Sequence, residues 1–265
     1  MSKNAQKRAA KHEVWERRKA AQKANEKATK AARGEEVRAA HKQKLDAMSE
    51  EERAKYDEER SAVKSARMKG AEDAKAKKKS ALTAPNNVVL DLEFSHLMQE
   101  KEIRSMAKQL SFCYAQNCRA AVPVRLHLTG LDGAMGDAVK KSCSGFEHWA
   151  VICAEETYLA TLAERKKDLV YLTADSEHEL ADFREEDIYI IGGIVDRNRY
   201  KNLTLDKANE QGIRHARLPI RDHLKMTGTH ILTVNQTLDI IHAQLELRNW
   251  EKALERVVPM RKRKG

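Results

Sequence analysis

From residue 87 onward, short unbroken apolar runs alternate with stretches in which apolar residues recur every three or four positions. The runs NVVLDLEF (87–94), VRLHLTG (124–130), HWAVICA (148–154), LVYLTA (169–174) and DIYIIGG (187–193) read as strands, and RHARLPI (214–220) as a shorter sixth. Ser95 stands where it can cap a helix on which Ile103, Met106, Ala107, Leu110 and Tyr114 keep helical spacing. A helix over 205–211 is expected to stop at Gly212. Val234, Leu238, Ile241 and Leu245 mark a long amphipathic helix, and a last one starts at Trp250 and is stopped by Pro259. This alternation predicts an α/β domain with a mainly parallel sheet flanked by helices. Ligands of such sheets bind beyond the carboxyl ends of the strands, here the turns after Ala174, Gly193 and Ile220. No internal repeat is visible.

The first 83 residues follow neither pattern. They are built from Ala, Lys, Arg, Glu and Gln, with Gly34 and Gly70 as the only glycines and Trp15 and Tyr56 as the only aromatics. These are strong helix formers without a sustained heptad seam. Glu13 with Arg17, and Glu59 near Lys64, suit solvated helices, and SEEER (49–53) supplies an N-cap with acids in the first turn. The run AKAKKKS (74–80), followed by Pro85, reads as a linker, which divides the chain into an extension over 1–83 and a domain over 84–265.

Charge sharpens that division. Residues 1–83 hold 24 Lys and Arg against 14 Asp and Glu, a net +10, while 84–265 hold 26 of each and are neutral. A solvated helix needs no such excess. Uncompensated positive charge binds polyanions through counterion release, so the extension is read as an RNA-contacting arm.

Several classes are excluded or disfavoured. No apolar run approaches the ~18 residues of a membrane span, and the first thirty residues have no apolar h-region. Glu13, Glu16 and Glu26 interrupt what would otherwise resemble a mitochondrial transit peptide, so nucleus or cytoplasm is expected over mitochondrion. Cys113, Cys118, Cys143 and Cys153 form no C-x-x-C pair and are expected as reduced, mostly buried thiols. There is no G-x-S-x-G, H-E-x-x-H or P-loop. His215, His223 and His230 come nearest to a cluster, without ligand spacing, so no metal is expected.

The most informative stretch is IYIIGGIVDRNRYKN (188–202). A buried-strand run ends in two adjacent glycines, which allow close approach of backbone or ligand. Asp196, Arg197, Asn198, Arg199, Tyr200 and Lys201 follow at once. Composition alone leaves this as readily an ordinary strand-to-helix turn as a binding site. The glycines lack the x-x-G of a dinucleotide fingerprint. YLTADSE (171–177) is a second strand followed by a polar turn, and in RLPI (217–220) the proline fixes an extended backbone.

Taken in order, VYLTADSE, IYIIGGIVDRNRYKN, KANEQGI, ARLPI, ILTVNQ and NWEKALERVVPMRK resemble the tRNA position-9 N1-methyltransferase family, a branch of the SPOUT methyltransferases. DLEFSHLMQEKEIRSMAKQL with Tyr114 and Asn117 is similar to that family's opening strand and helix, and the likeness covers about residues 87–263. It implies a SPOUT-type trefoil-knotted domain that holds S-adenosyl-L-methionine in three loops and releases S-adenosyl-L-homocysteine. By resemblance, Leu172, Thr173, Gly192, Gly193, Ile194, Asp196, Leu218, Ile220, Thr233 and Asn235 would form the cofactor site. Asp196 would be the general base that takes the guanine N1 proton, and Gln109 would orient the purine. Arg119, Arg125, Arg197, Asn198, Arg199 and Lys201 would contact tRNA. The product would be N1-methylguanosine, or in some members N1-methyladenosine, made by a monomer whose extension assists tRNA binding, with a partner protein left open. Two features depart or stay open: Cys118 stands where many relatives are basic, and Thr233-Val234-Asn235 leaves the choice of base undecided.

Overall fold

The computed structural model describes residues 3–131, 133–197, 199–224 and 232–260. The chain forms two compact units, residues 1–70 and 71–265.

The extension is helical, as its composition predicts. α1 spans Lys3–Asp46 and α2 spans Glu50–Leu82. Arg17 pairs with Glu13 at 2.8 Å on the exposed face of α1. Ser49 and Glu52 form a reciprocal cap at the start of α2: Ser49 N–H donates to Glu52 Oε2 (2.9 Å) and Glu52 N–H to Ser49 Oγ (3.3 Å). The expected linker over 74–80 is instead part of α2. Ala and Lys are good helix formers, and nothing in that run breaks a helix until the approach of Pro85, which disfavours helical backbone in the residue before it.

The second unit is built on a six-stranded parallel sheet. Its strands are β1 (Asn87–Asp91), β2 (Arg125–Thr129), β3 (Ile152–Cys153), β4 (Leu169–Leu172), β5 (Ile188–Gly192) and β6 (Arg214–Ala216), in the order β3-β2-β1-β5-β4-β6. All six predicted strands are present and shorter than their apolar runs. The largest loss is at 148–154, of which only Ile152–Cys153 pairs at the sheet edge. The preceding residues turn so that Trp149 stacks on Tyr114, with ring centroids 4.3 Å apart.

Both faces of the sheet are covered, as a parallel sheet requires. Val88, Leu90, Val170, Leu172, Tyr189 and Ile191 face one core with α3 (Glu100–Asn117), α4 (Gly133–Ser142), α8 (Val234–Leu247) and α9 (Trp250–Val257). Val89, Leu169, Tyr171, Ile188 and Ile190 face a smaller core completed by Tyr158 of the short α5 (Tyr158–Thr161) and Ala208 of α6 (Leu203–Gln211). A further short helix, α7, covers Ile220–His223. Gly212 ends α6 with φ 62°, a left-handed conformation that glycine adopts without steric cost. The expected cap of α3 moves: Ser95 opens a separate 3-10 turn, and Gln99 caps the helix in a reciprocal pair with Glu102.

Candidate active site

In register, Asp91 of β1 lies beside Gly192 of β5, and Leu172 of β4 lies beside Ile191 and Ala216. The carboxyl ends of the central strands therefore finish together, and their loops meet there. Gly193 continues the line by donating its N–H to Asp91 O at 2.7 Å. A Cβ on Gly193 would stand 2.7 Å from that carbonyl and 2.5 Å from Leu92 Cδ2, so this position is closed to a side chain by the end of β1. A Cβ on Gly192 would meet Thr204 Cγ2 at 2.8 Å and Tyr171 Oη at 3.3 Å. Both glycines thus have packing reasons within the protein, whatever ligand they also serve.

The loop after β5 carries Asp196 and is held at several points. Val195 N–H donates to Met98 Sδ (3.2 Å), Arg197 adopts φ 54°, and Tyr200 N–H donates to Asp196 Oδ2 (2.9 Å). Arg199 turns inward: its guanidinium donates to Glu102 Oε1 (2.9 Å), Glu102 Oε2 (2.8 Å) and Leu97 O (3.2 Å). Glu102 is buried at the first turn of α3, and its carboxyl is held below the usual range, by the Arg199 fork foremost and then by the Gln99 N–H. Arg199, expected on RNA, thus pairs within the protein while its side chain stays 38% exposed. Arg197 and Lys201 stay at the surface side of the loop, and Asn198 lies outside the described residues.

Beneath the loop, Lys207 Nζ donates to Asp91 Oδ2 and Glu93 Oε2, each at 2.7 Å, and Tyr171 Oη donates to Asp91 Oδ2 at 2.7 Å. Asp91 is fully buried, which raises its carboxyl while Lys207 opposes the shift. This network fixes the end of β1 against α6. Nothing in the sequence singles out Asp91, Glu102, Thr204 or Lys207. Each is one polar residue on an otherwise ordinary element, and its partner lies far along the chain.

The other predicted loops close around the same end of the sheet. Thr173 N–H donates to Ala216 O (2.9 Å), and Thr173 Oγ1 accepts from Thr204 Oγ1 (2.8 Å). Ile220 N–H donates to Leu218 O at 2.8 Å. Thr233 caps α8 in a reciprocal pair with Gln236, and its hydroxyl donates to Asn235 Oδ1 at 2.9 Å. Gln109 reaches the same helix from α3, accepting the Val234 N–H at 3.1 Å through Oε1. Ile194, Val195, Leu218, Leu224 and Leu232 are half-buried against the larger core.

Arg119 and Arg125 lie apart from this cluster. Arg119 lines a cleft of about 480 Å³ with Gln116, Asp239, His242 and Arg256, and Arg125 begins β2 with its Nε buried. A second cleft, of about 630 Å³, shares Arg199, Tyr200 and Lys201 with the loop but is otherwise lined by Phe94, His96, Lys207 and their neighbours. It does not include the Leu172, Leu218 or Thr233 turns. Of the three histidines nearest to a cluster in sequence, His215 Nδ1 is 2.9 Å from Ser176 Oγ, and His230 lies outside the described residues. Among the described residues no group of three or more His, Cys, Asp or Glu could hold a metal ion, and no helix is long and apolar enough to cross a membrane. All four cysteines are free, with Cys113 and Cys143 buried and Cys153 exposed.

Solved structures define the class to which this sheet and these loops belong. The chain superposes on full-length spTrm10 crystallised with SAH at a TM-score of 0.62 and 40% identity, covering 66% of this chain and 96% of that one. A dual-specific Trm10 from Thermococcus kodakaraensis shares the fold at 19% identity and a TM-score of 0.52, covering 65% of this chain and 99% of that one. The protein is thus an α/β protein of the Trm10 fold. The family model for tRNA (guanine(9)-N(1))-methyltransferase TRM10/TRM10A matches residues 1–263, and the chain belongs to that family. It is 43% identical over 177 residues to the tRNA (guanine(9)-N1)-methyltransferase of Schizosaccharomyces pombe, covering 66% of this chain and 58% of that protein. Against human tRNA methyltransferase 10 homolog A the identity is 36% over 190 residues, 72% of this chain and 56% of that protein. The chain therefore spans less than two thirds of the length of these relatives.

Proposed function

We propose that this protein transfers the methyl group of S-adenosyl-L-methionine to N1 of guanosine 9 in tRNA. The observation that carries the reading is Asp196. Its carboxylate is fixed by the Tyr200 N–H at the end of β5, in a family whose members bear this activity in their names. The cofactor supplies an electrophilic methyl on a sulfonium. As the N1–CH3 bond forms, the S–CH3 bond breaks to leave neutral S-adenosyl-L-homocysteine, and the N1 proton must depart. Asp196 is the carboxylate that receives that proton, directly or through one water.

The other residues bind and orient. Half-buried Ile194, Leu218 and Leu232 offer an apolar wall to the adenosine. Gln109 is fixed by the Val234 N–H through its carbonyl oxygen, which leaves its NH2 to address the purine edge. Arg197 and Lys201 serve phosphates, and the basic extension adds affinity without sequence preference.

Purified protein incubated with methyl-labelled cofactor and unmodified tRNA is expected to place label at position 9. No label across a full tRNA pool would overturn the reading and leave an RNA-binding protein, while label on adenosine 9 would correct only the base. Asp196→Asn keeps an oxygen able to accept the Tyr200 N–H, so turnover should fall with S-adenosylhomocysteine affinity retained. Equal loss of affinity would make Asp196 a binding residue rather than a base.

A further inference from the structure

The loop that presents Asp196 is pinned at its far side by one ion pair. Arg199 reaches from that loop to α3 and makes a two-pronged contact with Glu102, at 2.9 and 2.8 Å, plus a bond to Leu97 O. Tyr200 Oη also points to Leu97 O, at 3.3 Å. Between the strand end and this pin run contacts to the aspartate, among them Arg199 N–H to Asp196 O at 3.3 Å and Tyr200 N–H to Asp196 Oδ2 at 2.9 Å. Arg199 and Tyr200, which orient Asp196 through their backbone, are thus the same residues whose side chains are anchored beside α3. The other end of the pin is rigid. Glu102 is 4% exposed and also accepts the Gln99 N–H at 2.9 Å, so it sits in the capping turn of α3, the helix that carries Gln109.

We propose that Glu102 and Arg199 are a positioning pair for the methyl-transfer site, holding the Asp196 carboxylate in fixed geometry relative to Gln109. This rests on the methyltransferase reading given above. It moves Arg199 from tRNA recognition to the internal frame of the site. A planar guanidinium gripping both oxygens of one carboxylate fixes direction as well as distance, which a lysine ammonium cannot do. The backbone of Arg197 is in the left-handed region, so the loop is held there against its own preference. Release of the pin lets residues 195–200 relax, and displacement of a reacting group by about 1 Å costs up to about 100-fold in rate.

The test compares Glu102→Gln, Arg199→Lys and the double variant in the full chain. Glutamine keeps the capping interaction with Gln99, and lysine keeps the charge, so neither change removes a helix cap or net charge from the loop. Each single variant should lower the single-turnover methylation rate by about 10- to 100-fold. Affinities for tRNA and S-adenosylhomocysteine should stay within about threefold, and the double variant should be no slower than the worse single one, as expected for one shared interaction. Independently of activity, deuterium exchange across residues 195–202 should accelerate in every variant, because the Tyr200 N–H loses its fixed acceptor.

Unchanged exchange in Glu102→Gln would overturn the positioning role whether or not the protein is active. Arg199→Lys weakening tRNA binding while Glu102→Gln leaves the rate intact would also overturn it, and would return Arg199 to RNA. Wild-type protein that fails to methylate any tRNA would sink the functional reading alone, since the exchange experiment still decides the pin.

Discussion

Gly193→Ala is the sharpest perturbation of the strand end. The new methyl would be built 2.7 Å from Asp91 O and 2.5 Å from Leu92 Cδ2. Leu92 could turn away, but the carbonyl is β1 backbone and also receives the Gly193 N–H at 2.7 Å. Relief of the clash therefore stretches that hydrogen bond, a loss of about 1 kcal/mol. Overpacking between two central strands adds about 1–3 kcal/mol. The lower entropy of the unfolded alanine chain returns about 0.4–1 kcal/mol. The net destabilisation is about 1–3.6 kcal/mol, or a fall of about 2–14 °C in Tm for a unit of this size. Gly192→Ala meets a side-chain methyl of Thr204, which can yield at the expense of its bond to Thr173, so its net cost should stay below about 1 kcal/mol. Near-UV circular dichroism follows the sheet unit through Trp149 and Trp250 during heating. The order of the two variants is the diagnostic result. If Gly193→Ala melted within about 1 °C of wild type, or above Gly192→Ala, the close approach of β1 and the loop would not be what keeps this glycine.

The remaining predictions concern charge. Burial pushes the Asp239 carboxyl up to about 6, against the opposing pull of the Gln116 amide and Arg119. A carboxyl raised in the fold is ionised more easily in the unfolded chain, so it lowers stability as pH rises from about 4 to about 6. Asp239→Asn should stabilise by about 1 kcal/mol at pH 7, after allowance for partial exposure, and by nothing near pH 4, as read from urea titrations. His127 and His242 act in the opposite sense: burial lowers both to about 4, so each favours the fold above its unfolded value of 6.5 and loses that contribution as pH falls from 6.5 to 4. His242→Gln should therefore be less acid-sensitive than wild type over that window. Finally, residues 1–70 hold 20 Lys and Arg against 12 Asp and Glu. Starting the chain at Ala71 should weaken tRNA binding and reduce the slope of log affinity against log salt by at least about 2, at about 0.9 for each phosphate no longer neutralised, with S-adenosylhomocysteine affinity unchanged. An unchanged slope would assign the extension to another partner.

The legible part of this chain is the part governed by local rules. Apolar runs and helical spacing marked six strands and the helices from α3 to α9 that exceed two turns, except α4, because buried faces impose their period on the sequence. Local rules also set the errors. Ser95 is a good cap residue, yet the chain needs the extra turn of residues 95–97 before α3 can begin, and Gln99 with Glu102 caps it instead. The Lys-rich run at 74–80 resembles a linker only because it is charged, and charge does not oppose a helix. The site divides along the same line. The segment from Gly192 to Lys201 could be singled out because it packs unusual residues into consecutive positions. What holds it could not be. Glu102 pairs with Arg199 across 97 positions, Lys207 with Asp91 across 116, and Gln109 with Val234 across 125. No spacing rule links such residues, since their meeting depends on strand order: β5 inserted beside β1 brings the two loops and α3 to one corner. The place of Arg199 among five polar neighbours makes it look like a cation waiting for phosphate. Only the sheet shows that a buried carboxylate 97 positions away grips it with both oxygens.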